Sequence, residues 1–187
     1  MNIILFGPPG AGKGTQAQKT AKKFNLVQIS TGDLLRNEIK SKTDIGKEID
    51  EIISNGDFAT DEIVLRLLKK KITNSEIKNK IIFDGYPRSL SQAKNLELLL
   101  DSSNQKIDFI FFLNVNKETI IKRIEKRKIL EKRSDDNLNT ILKRYDTYME
   151  TTRPVLDFYS KNPNFYEIDG SQEIEVISSK IEQILRV

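Results

Sequence analysis

The chain has 187 residues, which suits one domain with small insertions and is long enough to bury a sizeable core. It contains no cysteine and no histidine, so disulfides, thiolate metal sites and imidazole catalysis are excluded, and any bound metal must use oxygen ligands. The formal net charge is +4, and no long apolar run or basic leader is present, so we expect a soluble cytoplasmic protein that does not bind a membrane.

Five short apolar runs alternate with segments of helical spacing. The runs at 2–6, 27–29, 81–84, 107–113 and 165–168 predict strands. The segments between them place apolar residues three and four positions apart, as in 138–149 and 174–184. This alternation predicts an α/β fold, a parallel five-stranded sheet of the P-loop NTPase type with helices on both faces and ligands at the carboxyl ends of the strands.

The first predicted strand runs directly into the glycine-rich stretch GPPGAGKGT, Gly7 to Thr15. A strand, this loop and a helix-compatible stretch from Gln16 to Phe24 follow one another as a phosphate-binding P-loop requires. Its glycines let backbone N–H groups close around phosphate oxygens, and Lys13 adds a charge for the β and γ phosphates. The usual pattern has a hydroxyl directly after the lysine, but here Gly14 intervenes before Thr15. A strand-to-helix turn without a ligand is the alternative.

After the second predicted strand, the stretch STGDLLR (30–36) predicts the start of a helix. Ser30 or Thr31 suits the N-cap, and an acidic residue follows in the first turn. One turn later, Arg36 is expected near the same helix N-terminus, where it could bind a second anion. Residues 30–80 are expected to hold several helices, with a helix end at Asn55 and a new N-cap at Thr60.

The third predicted strand ends in IIFDGYPRS (81–89). Asp84 stands at the end of this strand, which is the position of a magnesium-organising aspartate in P-loop enzymes. An ordinary turn or cap aspartate is the alternative. Arg88 follows four residues later. Its guanidinium group favours the first interpretation, because it is expected to face the same crevice at the end of the sheet.

Later in the chain, KRKILEKRSDD (126–136) is a charged stretch between two helical patterns. Four arginines lie in or around it, and the ordinary interpretation is a solvated charge run. Together with a P-loop and a strand-end aspartate, however, so many guanidinium groups suit two bound phosphate chains. Moving a γ-phosphoryl group between them would need magnesium, lysine and arginine to neutralise charge, and closing segments to exclude water. The arginines are Arg123, Arg127, Arg133 and Arg144.

Taken in order, the motifs GPPGAGKGT, STGDLLR, DGYPRS followed by Gln92, RSDD and KRY resemble those of the adenylate kinases, within the nucleoside monophosphate kinases. The resemblance covers essentially the whole chain, and a Gly-Thr pair after the lysine is normal in that family. It implies reversible transfer between ATP and AMP, giving two ADP, with Mg²⁺. It also implies a core domain at 1–29, 60–125 and 137–187, an NMP-binding segment at 30–59 and a short lid at 126–136. Like most of the family, the protein is expected to be a monomer.

The resemblance also implies roles for individual residues. For ATP it implies the phosphate loop, an arginine against the adenine, a phosphate ligand and a loop whose backbone meets the base: Gly10, Ala11, Gly12, Lys13, Gly14, Thr15, Arg123, Arg127 and Gln172. For AMP it implies Thr31, Arg36, Asp57, Phe58, Ala59, Gly85, Tyr86, Pro87, Arg88, Gln92, Arg133 and Arg144. Catalysis is expected from Lys13, Arg88, Arg127, Arg133 and Arg144, and metal binding through water from Asp84.

Two positions favour AMP over pyrimidine monophosphates. The uridylate and cytidylate kinases have a small apolar residue where Thr31 stands and lack the glutamine at position 92. A glutamine amide can bond an adenine edge with two hydrogen bonds. The lid departs from many bacterial relatives, because residues 127–136 are too few for a long insertion and include no cysteine of a zinc site. A UMP/CMP-type kinase remains the alternative within the family.

Two other classes fit less well. A GTPase switch would need an N-K-x-D guanine signature, but the nearest match, Asn116 to Thr119, lacks the aspartate, and DGYP is not a D-x-x-G segment. A nucleic-acid-binding module is suggested by the basic charge alone. Because there is no aromatic-rich basic face and no RNA-binding signature, we expect nucleotides as partners (ATP, AMP and ADP) and no nucleic acid.

Overall fold

The computed structural model describes residues 1–55, 57–131 and 138–186. In that part of the chain, strands and helices alternate as predicted. The strands are β1 Ile3–Phe6, β2 Val27–Ser30, β3 Ile81–Asp84, β4 Phe109–Asn114 and β5 Phe165–Asp169. The α-helices are α1 Lys13–Phe24, α2 Thr31–Lys40, α3 Asp44–Ser54, α4 Asp61–Ile72, α5 Leu90–Asp101, α6 Lys117–Glu131, α7 Leu138–Thr147, α8 Arg153–Tyr159 and α9 Ile174–Leu185.

The five strands form one parallel sheet in the order β2-β3-β1-β4-β5. β1 is central, so the loop that follows it opens between the ends of β3 and β4. In open sheets of this kind, ligands bind in the crevice at the carboxyl ends of the strands where the chain changes direction across the sheet. The predicted fold class, an α/β P-loop fold with a parallel five-stranded sheet, is confirmed.

Helices cover both faces of the sheet, because successive side chains of a buried strand point to opposite sides. In β1, Ile4 and Phe6 pack into one hydrophobic cluster with residues of α2, α3, α4, α5 and α8. Ile3 and Leu5 pack into the other cluster with residues of α1, α6, α7 and α9. A strand buried on both faces reads as a continuous apolar run, which is why the sequence predicted it.

Local capping explains where the helices of the predicted NMP-binding segment begin. The Ser30 side chain accepts a hydrogen bond from the Asp33 N–H at 3.2 Å, so Ser30 is the N-cap of α2 and Thr31 is its first residue. Thr60 caps α4 in the same way, and Asn55 is the C-cap of α3, as predicted. Residues 30–59 therefore hold α2 and α3 between β2 and α4.

Four strand ends, at Ile3, Ser30, Asn114 and Asp169, differ from the prediction by one residue each, and three differences are larger. Helix α1 begins at Lys13, earlier than the predicted Gln16, because the left-handed Gly12 places the helix start inside the loop. Strand β4 begins at Phe109, two residues later than predicted, directly after Asp108, whose carboxylate accepts a hydrogen bond from the Asn2 N–H at 2.7 Å. Residues 126–131 of the predicted lid continue α6, and the remainder of the lid lies outside the described residues. No helix in the described part of the chain is long and apolar enough to cross a membrane.

Candidate active site

The P-loop connects β1 to α1 and takes its shape from two glycines. Gly10 and Gly12 have φ angles of 82° and 94°, which residues with a side chain rarely adopt. A Cβ on Gly10 would also lie 2.8 Å from Cγ1 of Ile124, so the loop packs tightly against α6. Because Gly12 directly precedes α1, the N–H groups of the first helical turn open onto the crevice, where an anion is favoured.

Lys13 folds back over this loop. Its Nζ donates hydrogen bonds to the carbonyl oxygens of Gly7 at 2.6 Å and Pro8 at 3.0 Å. Desolvation lowers the pKa of Lys13 to about 8; the negative charge of Asp84 opposes this shift, and the positive charge of Arg88 adds to it. A phosphate chain in the loop would stabilise the ammonium form, so anion binding and protonation of Lys13 favour each other.

Asp84 is the last residue of β3, lies beside the P-loop and is 8% exposed. Gln28 of β2 donates a hydrogen bond from Nε2 to Asp84 Oδ2 at 2.9 Å. A Cβ on Gly14 would lie 3.5 Å from the same Oδ2, so the carboxylate faces the first turn of α1, where Thr15 is exposed. The described residues contain no cluster of three or more acidic side chains that could hold a metal. A lone carboxylate suits Mg²⁺ that keeps its waters and binds nucleotide phosphates.

On the other side of the crevice, Gly85 links Thr31 to Arg88. The Gly85 carbonyl accepts hydrogen bonds from Thr31 Oγ1 at 2.8 Å and from Arg88 Nε at 2.7 Å. Gly85 has a φ of 74°, and a Cβ there would lie 3.0 Å from Arg88 Nη2 and 3.3 Å from Thr31 Oγ1. The start of α2 and the arginine after β3 are thus held together by one carbonyl that a larger residue would displace.

Arg88 lies in a region with an excess of positive charge. Its Cζ sits 4.6 Å from the centre of the Phe58 ring, a cation–π contact. Desolvation and the positive charge of Arg144 lower the pKa of Arg88 to about 10, with Asp84 opposing the shift. Thr152, in a π-helical segment between α7 and α8, donates to the Arg88 carbonyl at 3.0 Å. Two guanidinium groups near one carboxylate favour a bound anion.

Gln92 and Tyr86 are buried on the same side of the site. The Gln92 residue is 4% exposed, and its Oε1 accepts a hydrogen bond from the Arg88 N–H at 2.8 Å. Its Nε2 donates to Asp61 Oδ1 at 2.6 Å. The Tyr86 hydroxyl donates to the Gln92 carbonyl at 3.2 Å. The amide that was predicted to read adenine is therefore held from both ends.

Arg36 pairs with an acidic neighbour on its own helix. Its Nη2 donates to Asp33 Oδ1 at 2.6 Å. A Cβ on Gly32 would lie 3.0 Å from Arg36 Nη2, so the guanidinium lies over the first turn of α2. The arginine is near the helix N-terminus, as predicted.

Helix α7 contacts the end of α3 and the residues after it through two adjacent cations. Lys143 Nζ lies 2.7 Å from Asp57 Oδ2. Arg144 Nη2 donates to the Ile53 carbonyl at 3.4 Å. Asp57, for which the sequence offered no role, therefore has an ion-pair partner 86 residues away along the chain.

Arg123 joins the P-loop to the loop after β5. Its Nη1 donates to the Ala11 carbonyl at 3.3 Å, and its Nη2 donates to the carbonyls of Ser171 at 3.2 Å and Gln172 at 3.3 Å. The Gln172 side chain bonds Asp169 Oδ2 at 3.1 Å. This places the backbone of residues 171 and 172 beside the P-loop, where the resemblance implied a contact with the ATP base.

A single cavity of about 680 Å³ joins the two sides. Its lining includes the predicted residues Gly10, Ala11, Gly12, Lys13, Gly14, Thr15, Arg36, Asp57, Phe58, Asp84, Gly85, Pro87, Arg88, Arg123, Arg127, Arg144 and Gln172. The predicted residues Thr31, Ala59, Tyr86 and Gln92 are buried close to it without lining it. Arg133 lies outside the described residues.

Several residues that shape the site were not singled out from the sequence. They are Gln28 at Asp84, Asp61 at Gln92, Lys143 at Asp57 and Thr152 at Arg88. The sequence did mark Gln28, because it is a polar residue inside a short apolar strand. In the sheet, Gln28 lies in register with Ile82 and therefore on the same face as Asp84. The other contacts join residues far apart in sequence, and no local pattern marks them.

A P-loop beside a strand-end aspartate, facing a group of arginines across one cavity, defines a P-loop nucleotide-binding enzyme. The family model described as adenylate kinase matches residues 5–164 of this chain. An adenylate kinase of Pelagibacter ubique is 53% identical over 213 aligned positions that cover all of both chains. Adenylate kinases of Mycoplasma mycoides and of a Caulobacter species are each 38% identical, over all of this chain and at least 99% of the relatives.

The chain belongs to the adenylate kinase family. The predicted family and the predicted enzyme class, an ATP:AMP phosphotransferase, are confirmed, as are the transferase and nucleotide-binding functions. The GTPase and pyrimidine nucleotide kinase alternatives are not favoured by these relatives.

Proposed function

We propose that this chain transfers the γ-phosphoryl group of ATP to AMP in a reversible, Mg²⁺-dependent reaction, with the donor in the P-loop and the acceptor on the side of Arg88. The observation that carries the proposal is the shared cavity of about 680 Å³, which has Lys13 on one side and Arg88 and Arg144 on the other. A volume of this order suits nucleotide-sized ligands.

In the proposed reaction, a phosphate oxygen of AMP attacks the γ-phosphorus of ATP. The bond between that phosphorus and the β–γ bridging oxygen breaks, and both products are ADP. The attacking oxygen already carries negative charge, so no general base is needed, in agreement with a chain that has no histidine. Catalysis then rests on placing the two phosphates in line and neutralising the charge that spreads over the transferring group.

The cations of the site have separate tasks in this proposal. Lys13 neutralises the β and γ phosphates from the loop side, and Arg88 and Arg144 bind the acceptor phosphate and the transferring group. Arg127 lies close enough for its charge to lower the pKa of Lys13, which supports a contact with the ATP phosphates. Arg133 is assigned the same kind of role from its motif alone.

The Mg²⁺ prediction rests on Asp84. Its carboxylate faces the first turn of α1 and is oriented by Gln28, so a hydrated Mg²⁺ could be bound through water next to the phosphates. Bound there, the ion would neutralise charge on the β and γ phosphates. Asp84 itself is held in place for that purpose by the Gln28 N–H.

Base recognition is divided between backbone and side chain. On the donor side, Arg123 and the backbone of residues 171 and 172 are proposed to contact the ATP adenine, because Arg123 already holds that loop against the P-loop. On the acceptor side, Thr31 and Gln92 are proposed to select AMP. Residues 57–59 and Gly85 to Pro87 would complete the AMP site.

Phosphorus NMR with Mg²⁺ and ATP, offering AMP, UMP, CMP and GMP in separate samples, tests the proposal. ADP formation with AMP alone is expected. Turnover of UMP or CMP in its place would keep the mechanism and reject Thr31 and Gln92 as selectors of AMP. If none of the four acceptors reacts, the proposal is wrong.

From family membership we further propose a cytoplasmic monomer in which residues 30–59 and the short lid at 126–136 close over the two nucleotides. Hydrogen exchange with a bisubstrate dinucleotide should slow in both segments. Sedimentation of the free and bound protein should give the mass of one chain, 21.5 kDa.

A further inference from the structure

The carboxylate of Asp61 is the centre of a small polar network on the acceptor side. Asp61 is the first residue of α4, directly after the N-cap Thr60. Its Oδ1 accepts the hydrogen bond from Gln92 Nε2 at 2.6 Å. Its Oδ2 accepts hydrogen bonds from the hydroxyls of Ser89, at 3.0 Å, and Ser91. One carboxylate thus collects three donors from the first turn of α5 and the residue before it.

This network fixes which way round the Gln92 amide lies. A carboxylate only accepts hydrogen bonds, so the amide NH₂ must face Asp61. On the other end, the Arg88 backbone N–H only donates, so the amide oxygen must face Arg88, and it does at 2.8 Å. Rotating the amide by 180° would place NH₂ against N–H and oxygen against carboxylate, and both contacts would be lost to repulsion.

The two contacts use half of the bonding capacity of the amide. A glutamine amide has two N–H donors and two oxygen lone pairs, so one donor and one acceptor are left. Adenine offers the complementary pair, an amino donor at position 6 next to the acceptor N1. Hypoxanthine, the base of IMP, has the opposite polarity, a carbonyl acceptor at position 6 next to a donor at N1. An amide of fixed orientation therefore distinguishes these two bases even though they have nearly the same shape.

We propose that Asp61 is a specificity-determining positioning residue: it locks the polarity of the Gln92 amide, so that the acceptor site accepts 6-amino purine monophosphates and rejects 6-oxo ones. The inference rests on the proposed function, in which Gln92 reads the acceptor base. Asp61 acts through Gln92 and contacts neither substrate nor the transferred group.

A purely structural role for Asp61 makes a different prediction. The same bonds tie α4 to α5, so their loss would lower stability and would affect all acceptors alike. A positioning role changes the ratio of kcat/KM for AMP to kcat/KM for IMP, because asparagine at position 61 can pair with either end of the Gln92 amide. The substitution thus removes one of the two contacts that fix the polarity of the amide and leaves only the Arg88 N–H. The ratio separates the two roles, because a change in the amount of folded protein cancels from it.

The experiment compares wild type, Asp61→Asn and Glu62→Gln with AMP and IMP as acceptors at saturating Mg-ATP. Glu62 is the matched control: it is the next residue in the first turn of α4, it is exposed, and its substitution removes the same charge from the same helix N-terminus. In Asp61→Asn we expect the AMP-to-IMP ratio to fall about tenfold or more, the size of one lost charge-assisted hydrogen bond. The change should come mainly from KM for the acceptor. In Glu62→Gln the ratio should stay within about twofold of wild type, as expected for a surface substitution.

A measurement on the wild-type protein keeps the inference testable if Asp61→Asn does not fold. In nitrogen-15 NMR spectra of the free protein, one Gln92 side-chain proton should be shifted downfield and protected from exchange by the carboxylate, whereas both side-chain protons of the exposed Gln18 should not be. An unshifted, rapidly exchanging Gln92 amide would overturn the inference.

The outcomes also separate this inference from the proposed function. If wild type uses AMP and Asp61→Asn keeps the full preference for AMP over IMP, the role of Asp61 is wrong and the proposed function stands. If wild type transfers phosphate to neither AMP nor IMP, both are wrong.

Discussion

The two sides of the cavity are built in different ways. On the donor side, the P-loop is shaped by backbone: its glycines take left-handed φ angles, and Lys13 bonds to loop carbonyls. On the proposed acceptor side, exposed pairs of charged side chains lie within α2 and between α7 and residue 57. Arg36 and Asp33 are 33% and 59% exposed, and Lys143 and Asp57 are 48% and 47% exposed. The proposed donor site therefore has a shape set by backbone. On the proposed acceptor side, the buried contacts of Gly85 and Gln92 are likewise fixed, but the exposed ion pairs around them are contacts that water and phosphate can replace.

This difference has an energetic basis. Exposed ion pairs contribute about 0–1 kcal/mol, so exchanging one for a contact with phosphate costs little. Glycine-dependent loop geometry anchored on a buried strand cannot be exchanged in that way, because a change in φ would disturb the packing against α6. We therefore expect the donor side to bind in place and the acceptor side to rearrange around its nucleotide.

The largest expected effects come from the cations that face the transferring group from each side. Lys13→Ala and Arg88→Ala should each lower kcat by roughly 10³ or more, because each removes a charge that stabilises the transition state. Coupled-enzyme assays at saturating ATP and AMP measure this directly. The two variants should differ in binding: ATP affinity should fall in Lys13→Ala, and AMP affinity in Arg88→Ala.

Thermal unfolding supplies the control for these variants. Each substitution removes a buried cation that lies near other positive charges, Arg88 and Arg127 at Lys13 and Arg144 at Arg88, so both variants should stay folded. Arg88→Lys should recover only part of the activity, because an ammonium cannot reproduce the planar fork that binds phosphate through two bonds. A near-normal rate in either alanine variant would remove that residue from the catalytic set.

Much of the fold and the donor site was predictable from sequence for a physical reason. A strand buried on both faces must be apolar throughout, and a P-loop must contain glycines at its left-handed positions. Both requirements are local, so Ile3–Phe6 and the loop after it were recognisable without the structure. Asp84 was recognisable because it ends such a strand, and Arg88 because it follows four residues later.

The acceptor side was less predictable, because its contacts are not local. Lys143 meets Asp57 across 86 residues, and Gln92 meets Asp61 across 31 residues. No spacing rule connects such pairs, and each depends on how the helices of the segment pack. The resemblance to the adenylate kinases supplied Gln92 as a candidate, but not the carboxylate that orients it.

The protonation of Lys13 tests whether the donor site is indeed preformed around a buried charge. The pKa of Lys13 is lowered to about 8 in the free protein, and a bound triphosphate favours the ammonium form. ATP affinity should therefore be full below about pH 8 and should fall by up to about tenfold per pH unit above it. Isothermal titration with a non-hydrolysable ATP analogue, in buffers of different ionisation enthalpy, measures both affinity and proton uptake.

Rising pH should increase the folding stability of the free protein over the same range in which it weakens ATP binding. Between about pH 8 and the usual lysine value of 10.5, the unfolded chain binds more protons at Lys13 than the folded chain does. The contribution of Lys13 to folding stability therefore rises with pH in this window, which separates the loss of ATP affinity from alkaline unfolding. In Lys13→Ala the pH dependence of ATP binding above pH 8 should disappear; a slope that persists would assign it to another group.

Gln28 gives a smaller effect on the same side. Gln28→Leu removes the hydrogen bond to Asp84 Oδ2 while keeping similar volume, so the carboxylate should lose its fixed orientation. Affinity for Mg-ATP should fall about tenfold, as for other residues that orient a metal-binding group. Affinity for ATP without Mg²⁺ serves as the internal control and should not change. An equal loss with and without Mg²⁺ would mean that Gln28 supports the loop and not the metal site.

The smallest expected effect is at the ion pair between Asp57 and Lys143, which joins the NMP-binding segment to α7. Both side chains are about half exposed, at 47% and 48%, so a double-mutant cycle with Asp57→Ala and Lys143→Ala should give a coupling energy of about 0.2–1 kcal/mol. Raising the salt concentration should reduce it further. AMP affinity should change by less than about threefold in either variant, because the acceptor side exchanges such contacts readily. A coupling well above 1 kcal/mol, or a large loss of AMP binding, would show that this pair holds the acceptor side as firmly as the backbone holds the donor side, and the contrast between the two halves of the cavity would be lost.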